Sequence, residues 1–164
     1  ITRKIHKKKG ALSGALFVCR SGARSGKVTN FILSQDIEAY NEVIKGAGSD
    51  TIIMSDFNQR FITSEAIRRC HDLDNIGFYW FEEPIQYNML KDMKKICKEI
   101  NTPITLGENF HGPKDAHDAL INESCDMIMP DLMRIGGVSG WLKTASIAES
   151  FNAEVSGEKF FNSI

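Results

Sequence analysis

Short apolar runs alternate along this chain with longer segments in which apolar residues recur every three or four positions. The runs have the length of buried strands and are bounded by turn residues, at 51–56, 78–82, 103–108 and 126–131. The longer segments have the period of helices, at 36–45, 64–73, 89–97, 113–121 and about 139–151. With a last short strand near 153–156, at least five strand and helix units follow one another. This order predicts an α/β fold with a parallel sheet.

Residues with helix-boundary chemistry stand at several of the predicted ends. Gly46 is placed to end the first helix, Ser64 to cap the second, and Pro113 to open the helix after the third run. These signals favour helices, rather than long loops, between the strands.

The first three of these apolar runs end on carboxylates that are evenly spaced along the chain. Asp56, Glu82 and Glu108 are each the last residue of a predicted strand, and successive members are 26 residues apart. Because the carboxyl ends of neighbouring parallel strands meet at one face of a (β/α) barrel, the three side chains would converge there. Any one of them alone would be explained as a helix cap or a surface charge. Together they are the hard oxygen ligands that suit Mg²⁺, so the pattern predicts a magnesium site.

The overall composition is that of a globular cytoplasmic protein. Charged residues make up 25% and hydrophobic residues 42% of the 164 residues, with a formal net charge of −1. No apolar run approaches the roughly 20 residues that cross a bilayer. The four cysteines form no Cys-x-x-Cys pair, which favours buried reduced thiols over disulfides or a zinc site. We therefore expect a cytoplasmic protein with no membrane partner.

Charge is distributed unevenly between the N-terminal segment and the rest of the chain. The first 35 residues contain eight Lys or Arg residues and no Asp or Glu. A solvated leader, a basic targeting segment and a weak polyanion-binding patch would all have this composition. Because no nucleic-acid-binding module is recognisable, the solvated leader is favoured and no nucleic-acid partner is expected.

The length of the chain limits the architecture. A closed (β/α) barrel usually needs eight strands and about 250 residues, so these units are too few to close one. The open edges of a parallel sheet expose unpaired backbone groups, which association with another chain would satisfy. We therefore expect a partial TIM-type barrel that forms a homo-oligomer.

Several ordered motifs sharpen this interpretation. They are Trp-Phe-Glu-Glu-Pro-Ile at 80–85, Leu-Gly-Glu-Asn at 106–109, Gly-Pro at 112–113 and Met-Pro-Asp-Leu-Met-Arg-Ile-Gly-Gly-Val-Ser-Gly-Trp at 129–141. Over about 50–151 the chain resembles the mandelate racemase and muconate lactonizing enzyme group of the enolase superfamily. The resemblance implies a central barrel segment at 31–164, without the capping domain and barrel ends of that family. Residues 1–30 stay a basic N-terminal segment with no assigned fold.

The resemblance also implies roles for the residues at the strand ends. Asp56, Glu82 and Glu108 match the three Mg²⁺ ligands of the family, in agreement with their spacing. Asn58, two residues past the first ligand, matches a contact to the substrate or to a ligand. Glu83 follows Glu82 directly, so strand alternation predicts that its side chain points away from the metal and forms an ion pair.

Family chemistry begins with removal of the proton α to a substrate carboxylate, while Mg²⁺ stabilises the negative charge that develops. The family places a Lys-x-Lys motif on one face of the substrate and a histidine, held by an aspartate, on the other. Lys27 is the one lysine that matches the first of these features. It falls on the base when counted back from the first ligand, with Ser25 before it. It falls on the first lysine when Gly22 is aligned, with Thr29 as the base. A solvated Lys27 is an equal alternative.

The second face departs from the family pattern. Asp131 matches the orienting aspartate, but Glu158 stands where the histidine belongs. Glu158 could act as the base if burial and neighbouring carboxylates raised its pKa, although a broken dyad is the simpler interpretation. His111 offers an imidazole in the loop after Glu108, and Arg134 matches a position suited to binding a substrate carboxylate.

Two function classes follow from this pattern. The first is a Mg²⁺-dependent lyase or isomerase that acts on a small carboxylate substrate, a hydroxy acid or acid sugar. Dehydration is favoured over racemisation, because racemisation needs a base on each face and the chain shows at most one suitable lysine. The second is a catalytically silent barrel fragment that binds metal. Polyanion binding by the basic segment is a third alternative.

Overall fold

The structure, a computed structural model, describes residues 15–19, 30–48 and 51–156. In this part of the chain, six parallel strands form one sheet in chain order: β1 (Ala15–Cys19), β2 (Ile52–Asp56), β3 (Phe81–Glu82), β4 (Ile104–Leu106), β5 (Met127–Ile128) and β6 (Glu154–Val155). Five helices connect them: α1 (Asn30–Ala47), α2 (Thr63–Leu73), α3 (Leu90–Glu99), α4 (Pro113–Ile121) and α5 (Gly137–Ser150). Each strand pairs with the next one along the chain, as in a (β/α) barrel. The prediction of a parallel α/β architecture is confirmed.

Some element boundaries differ from those that the sequence predicted. α2 begins at Thr63, so Ser64 lies inside its first turn, and the N-cap position is occupied by Ile62, which makes no capping hydrogen bond. The prediction that Ser64 caps this helix is therefore wrong. α1 begins at Asn30, earlier than its apolar periodicity indicated. β1 lies in the basic N-terminal segment, where no element was predicted.

The two faces of the sheet pack against different sets of side chains. Ile53, Phe81 and Ile104 belong to a large core shared with the helices, whereas Met54 and Trp80 belong to a second cluster with Met127 and Met129. Successive residues of a strand point to opposite faces, so this division follows from alternation. One face of the sheet is therefore covered by the helices, and the second, methionine-rich face is the side that would line the interior of a barrel.

Polar contacts fix the helices to one another and to the loops at the amino ends of the strands. The buried Arg69 of α2 binds Asp36 of α1 through two donors to one oxygen, at 2.6 and 3.0 Å, and its guanidinium lies over the Phe61 ring. Asp74, just after α2, accepts hydrogen bonds from the backbone N–H groups of Asn101 and Thr102, before β4.

Within the residues that the structure describes, no helix is both long and apolar enough to cross a bilayer.

Candidate metal centre

The structure brings together the three carboxylates at the carboxyl ends of β2, β3 and β4. Asp56, Glu82 and Glu108 each offer one oxygen atom, and these oxygens all lie within 4.8 Å of one another. Glu82 is buried with 1% of its surface exposed, while the other two are half-buried and border the solvent. The predicted convergence is therefore present in the described chain, and the role of the three residues as metal ligands stays a prediction.

Strand alternation explains the direction of the first two carboxylates. Asp56 and Glu82 are direct partners across the β2–β3 ladder. Each follows a residue of the second cluster by two positions, Met54 and Trp80 respectively, so both point to the face opposite the helices. Regular β geometry is sufficient to place this pair.

Glu108 needs a departure from regular geometry. Ile104 and Leu106 of β4 point into the helix-covered core, and strict alternation would send Glu108 to that same side. Gly107 intervenes with φ +147°, a conformation that favours glycine, and a Cβ atom at this position would lie only 2.6 Å from the backbone of Met129. The turn at Gly107 therefore accounts for the direction in which Glu108 leaves the strand.

The loop after β2 holds Asp56 through Asn58. The Asn58 backbone N–H donates to Asp56 Oδ1 at 2.8 Å, and the Asn58 side-chain amide donates to Oδ2 at 3.3 Å. Asn58 has φ +49° and is exposed. The structure thus places Asn58 against the predicted ligand, where it orients the carboxylate.

A buried hydrogen-bond network lies beside the three carboxylates. Glu83 is fully buried, and its Oε2 accepts hydrogen bonds from Gln59 Nε2 at 2.8 Å and Asn109 Nδ2 at 2.6 Å. Burial raises the pKa of Glu83, and the nearby Glu108 charge adds to this effect, against the lowering effect of the two amides. Among the described residues Glu83 forms no ion pair, so the predicted ion pair is wrong. The reason is its φ of +40°, which ends the alternation of β3 and turns the side chain toward the loop after β4.

Arg134 belongs to the same network. Its guanidinium Nη1 donates to the backbone carbonyl of Glu108 at 3.1 Å and to the side-chain oxygen of Asn109. The residue is exposed, and this contact fixes the loop that carries Glu108. The predicted contact of Arg134 with substrate stays a prediction.

The remaining predicted site residues take different positions. Asp131 Oδ1 accepts the backbone N–H groups of Met133 and Arg134, so this oxygen stabilises the turn after β5. His111 is exposed, its backbone N–H donates to Asp115, and it is not a member of the cluster of possible ligands. Lys27 and Glu158, the predicted bases, lie outside the described residues, as do the charges of the basic N-terminal segment.

The donor set suits a magnesium ion. Three carboxylate oxygens held this close repel one another, and a divalent cation between them would offset that repulsion. Three oxygen donors also leave positions of an octahedral shell for water or substrate, which Mg²⁺ requires. The side chains present therefore fit the ion predicted from the sequence.

Sequence reasoning missed the part played by Gln59 and Glu83. Both have positive φ, at +58° and +40°, which periodicity does not reveal. The Glu-Pro pair at 83–84 was a usable signal, since a residue before proline is restricted in its backbone conformation and often ends a regular element. The hydrogen-bond network of Glu83 can be recognised only when the backbone conformation of these loops is known.

Comparison with known proteins agrees with this architecture. A model of the family described as "Enolase C-terminal domain-like" matches residues 16–162. An L-Ala-D/L-Glu epimerase from Clostridium acetobutylicum is 31% identical over 73% of this chain and 34% of its own length. A D-gluconate dehydratase from Thermoproteus tenax is 30% identical over 82% of this chain and 27% of its own length.

The solved structures extend the match to three dimensions. The crystal structure of an enolase from alpha pretobacterium bal199 with bound Mg superimposes with a TM-score of 0.78 and 35% identity, over 86% of this chain and 37% of that one. The chain thus spans about a third of the length of the proteins it matches. The partial (β/α) barrel and the resemblance stated above are both confirmed. The chain belongs to the enolase C-terminal domain-like family, in the mandelate racemase and muconate lactonizing enzyme group of the enolase superfamily.

Proposed function

We propose that this chain is part of a Mg²⁺-dependent enzyme that removes the proton α to the carboxylate of a hydroxy acid or acid sugar. The observation that carries the proposal is the convergence of Asp56, Glu82 and Glu108 within 4.8 Å at the carboxyl ends of neighbouring strands. In (β/α) barrels this is the face where active sites are built. We also propose that the protein is cytoplasmic, on the grounds of its composition, and homo-oligomeric, as expected from the sequence.

The relatives support a small carboxylate as the substrate. One acts as a D-gluconate dehydratase and another as an L-Ala-D/L-Glu epimerase, and a structural neighbour holds Mg. We propose dehydration of an acid sugar in preference to racemisation or epimerisation. Dehydration needs one base and one acid, whereas inversion at the α-carbon needs a competent base on each face of the substrate.

Asp56, Glu82 and Glu108 are the residues that would hold the ion. Bound there, Mg²⁺ would supply a positive charge that stabilises the negative charge developing on the substrate carboxylate during proton removal. Asn58 orients Asp56, and the guanidinium of Arg134 fixes the loop of Glu108. Arg134 also carries donors with which we propose it binds the substrate carboxylate.

The proton steps are assigned to residues of the chain by proposal. Lys27 takes the α-proton, and the electron pair of the broken C–H bond forms the new double bond as the β-hydroxyl leaves. That hydroxyl departs as water after it accepts a proton from an acid, for which Glu158, beside Asp131 in the family pattern, and His111 are the candidates. The enol product then tautomerises to a 2-keto acid, which balances the reaction without an oxidant or reductant.

Metal binding is the first test. Titrating Mg²⁺ into the chain by calorimetry should give a site that Glu108→Gln weakens by about tenfold or more, because the variant removes one of three charged oxygen ligands. Glu99→Gln makes the same chemical change at an exposed position at the end of α3 and should leave the affinity unchanged. Equal binding by wild type and Glu108→Gln would exclude a metal site at these carboxylates.

Catalysis is the second test. Acid sugars, D-gluconate among them, are incubated in D₂O with Mg²⁺, and NMR follows both exchange at the α-carbon of the substrate and formation of the 2-keto acid. Exchange or 2-keto acid formation that is lost in Glu108→Gln supports the enzyme. Metal binding with neither exchange nor 2-keto acid formation on any substrate would instead favour the alternative function, a catalytically silent metal-binding barrel fragment.

A further inference from the structure

Glu83 connects the loops that follow β2, β3 and β4, each of which lies directly beside a predicted ligand. It follows Glu82 directly, it accepts a hydrogen bond from Gln59 in the loop of Asp56, and it accepts another from Asn109, which follows Glu108. A main-chain bond repeats the first of these connections, since the Gln59 N–H donates to the Glu83 carbonyl at 2.7 Å, and the Glu83 N–H donates to the carbonyl of Thr105 in β4 at 3.2 Å. One buried side chain therefore contacts both neighbouring ligand loops.

The orientation of the two amides is fixed from their far ends. The Gln59 side-chain oxygen accepts the Tyr87 backbone N–H at 3.3 Å, and the Asn109 side-chain oxygen accepts from Arg134. Each amide therefore presents its nitrogen to Glu83, because its oxygen is already occupied. The Asn109 nitrogen also lies 3.3 Å from Glu108 Oε1, so Asn109 holds a ligand oxygen as well as the Glu83 carboxylate.

Glu83 acts on the site through these neighbours and is not itself in the ligand cluster, which consists of Asp56, Glu82 and Glu108. A buried carboxylate is a costly means of filling space, since an apolar residue of the same volume would avoid desolvation. What the carboxylate provides is an acceptor for two half-buried amide donors, at a residue whose φ of +40° lies in the left-handed region.

We propose that Glu83 is a positioning residue that aligns the Asp56 and Glu108 loops for the metal through its acceptor oxygen, and that its charge is not required. This inference rests on the proposed function, because the alignment matters only if the three carboxylates bind a cation. Outer contacts of this kind typically change metal affinity by about 10- to 100-fold when removed.

The test compares Glu83→Leu with Glu83→Gln. Leucine fills the space without an acceptor, so the Mg²⁺ dissociation constant should rise about tenfold or more. Glutamine keeps an acceptor oxygen at the same reach, so Glu83→Gln should bind Mg²⁺ within about threefold of wild type. Ile96→Val, a conservative core substitution in α3, serves as the control, because it lowers the free energy of unfolding away from the site and should leave the dissociation constant unchanged.

Each result decides the matter. Unchanged affinity in Glu83→Leu overturns the positioning role, and a Glu83→Gln variant as weak as Glu83→Leu shows that the charge is what matters, which also overturns it. Weakened binding in Ile96→Val means that general loosening explains the effect. If Glu83→Leu does not fold, Gln59→Leu replaces it, because the Gln59 side chain bonds to Glu83 and to Tyr87 and not to a predicted ligand: a rise in the dissociation constant of about threefold or more supports the role and no rise overturns it. Failure of wild type to bind, or equal binding by Glu108→Gln, is the separate result that removes the proposed function and this inference together.

Discussion

Replacing Gly107 with alanine tests the geometry that directs Glu108. A Cβ atom on Gly107 would lie 2.6 Å from the Met129 carbonyl carbon and 2.7 Å from both its nitrogen and its oxygen, whereas ordinary van der Waals contacts begin at 3.4 Å. Met129 cannot yield easily, because it is fully buried and its N–H donates to the Leu106 carbonyl at 2.8 Å between β4 and β5. The variant must therefore shift the backbone of one strand end or the other.

The expected cost has two parts. A residue other than glycine in a left-handed conformation costs about 1–2 kcal/mol, and overpacking against a buried backbone costs about 1–3 kcal/mol more. We expect Gly107→Ala to lower the free energy of unfolding by about 2–5 kcal/mol. We also expect it to weaken Mg²⁺ binding by about tenfold or more, because Glu108 follows the displaced residue.

Urea unfolding followed by circular dichroism measures the stability, and calorimetry measures the affinity. Gly46→Ala is the matched control. It makes the same change within α1, where a Cβ would meet nothing within 4 Å, and should raise stability by about 0.4–1 kcal/mol. A Gly107→Ala protein with the urea midpoint of wild type would refute the reasoning, since it would mean that neither the contact with Met129 nor the backbone conformation constrains this position.

Two further predictions concern stability away from the metal centre. Burial acts to raise the pKa of Asp74, but hydrogen bonds from Thr102 and Asn101 outweigh it and leave the pKa below 3.8. The contribution of the ionised Asp74 carboxylate to the free energy of unfolding is therefore present above pH 3.8 and is lost as the pH falls through the lower pKa of the folded state. In urea unfolding, the stability difference between wild type and Asp74→Asn should shrink over that range, and a constant difference would contradict this prediction. Arg69→Met removes two hydrogen bonds to Asp36 and should lower the free energy of unfolding by about 1–3 kcal/mol. Thermal or urea unfolding measures this loss, and unchanged stability in the variant would contradict it.

The fold and two of the three carboxylates could be predicted because they follow from regular structure. Apolar runs of strand length alternate with helical periods, and a carboxylate at the end of each strand must lie at the same edge of a parallel sheet. Asp56 and Glu82 also inherit their direction from strand alternation, since Met54 and Trp80 precede them on the same face. No tertiary information was needed for this pair.

Glu83 could not be placed by the same rule. Alternation predicted that its side chain points away from the metal and forms an ion pair. Glu83 is outside the ligand cluster, but among the described residues its carboxylate accepts from two amides instead of forming an ion pair. Its contacts come from Gln59 and Asn109, which are 24 and 26 residues away along the chain. Contacts between loops depend on backbone angles that a hydrophobic pattern does not encode.

β1 was missed although its sequence carries a signal. Ala15–Cys19 is a run of five apolar residues, the length of a buried strand, but it stands among Gly, Ser and basic residues that indicate a loop or tail. Pairing with β2 over five positions, from Ala15 with Ile52 to Cys19 with Asp56, is the tertiary contact that supports it. Where the flanking residues indicate a loop and the central residues favour a strand, pairing with a neighbouring strand determines the structure, and local preference does not.

The three ligand loops share one backbone feature that links the fold to the proposed chemistry. Each contains left-handed residues beside its carboxylate: Asn58 and Gln59 after β2, Glu83 after β3 and Gly107 after β4. Strained angles of this kind persist where surrounding contacts hold them, and they concentrate at functional sites. Here the contacts run from loop to loop, because the Gln59 N–H bonds to the Glu83 carbonyl and the Asn109 side-chain amide donates to the Glu83 carboxylate. The conformations of the three loops are therefore interdependent, and a substitution that relaxes one of them should displace carboxylates on the other two strands as well.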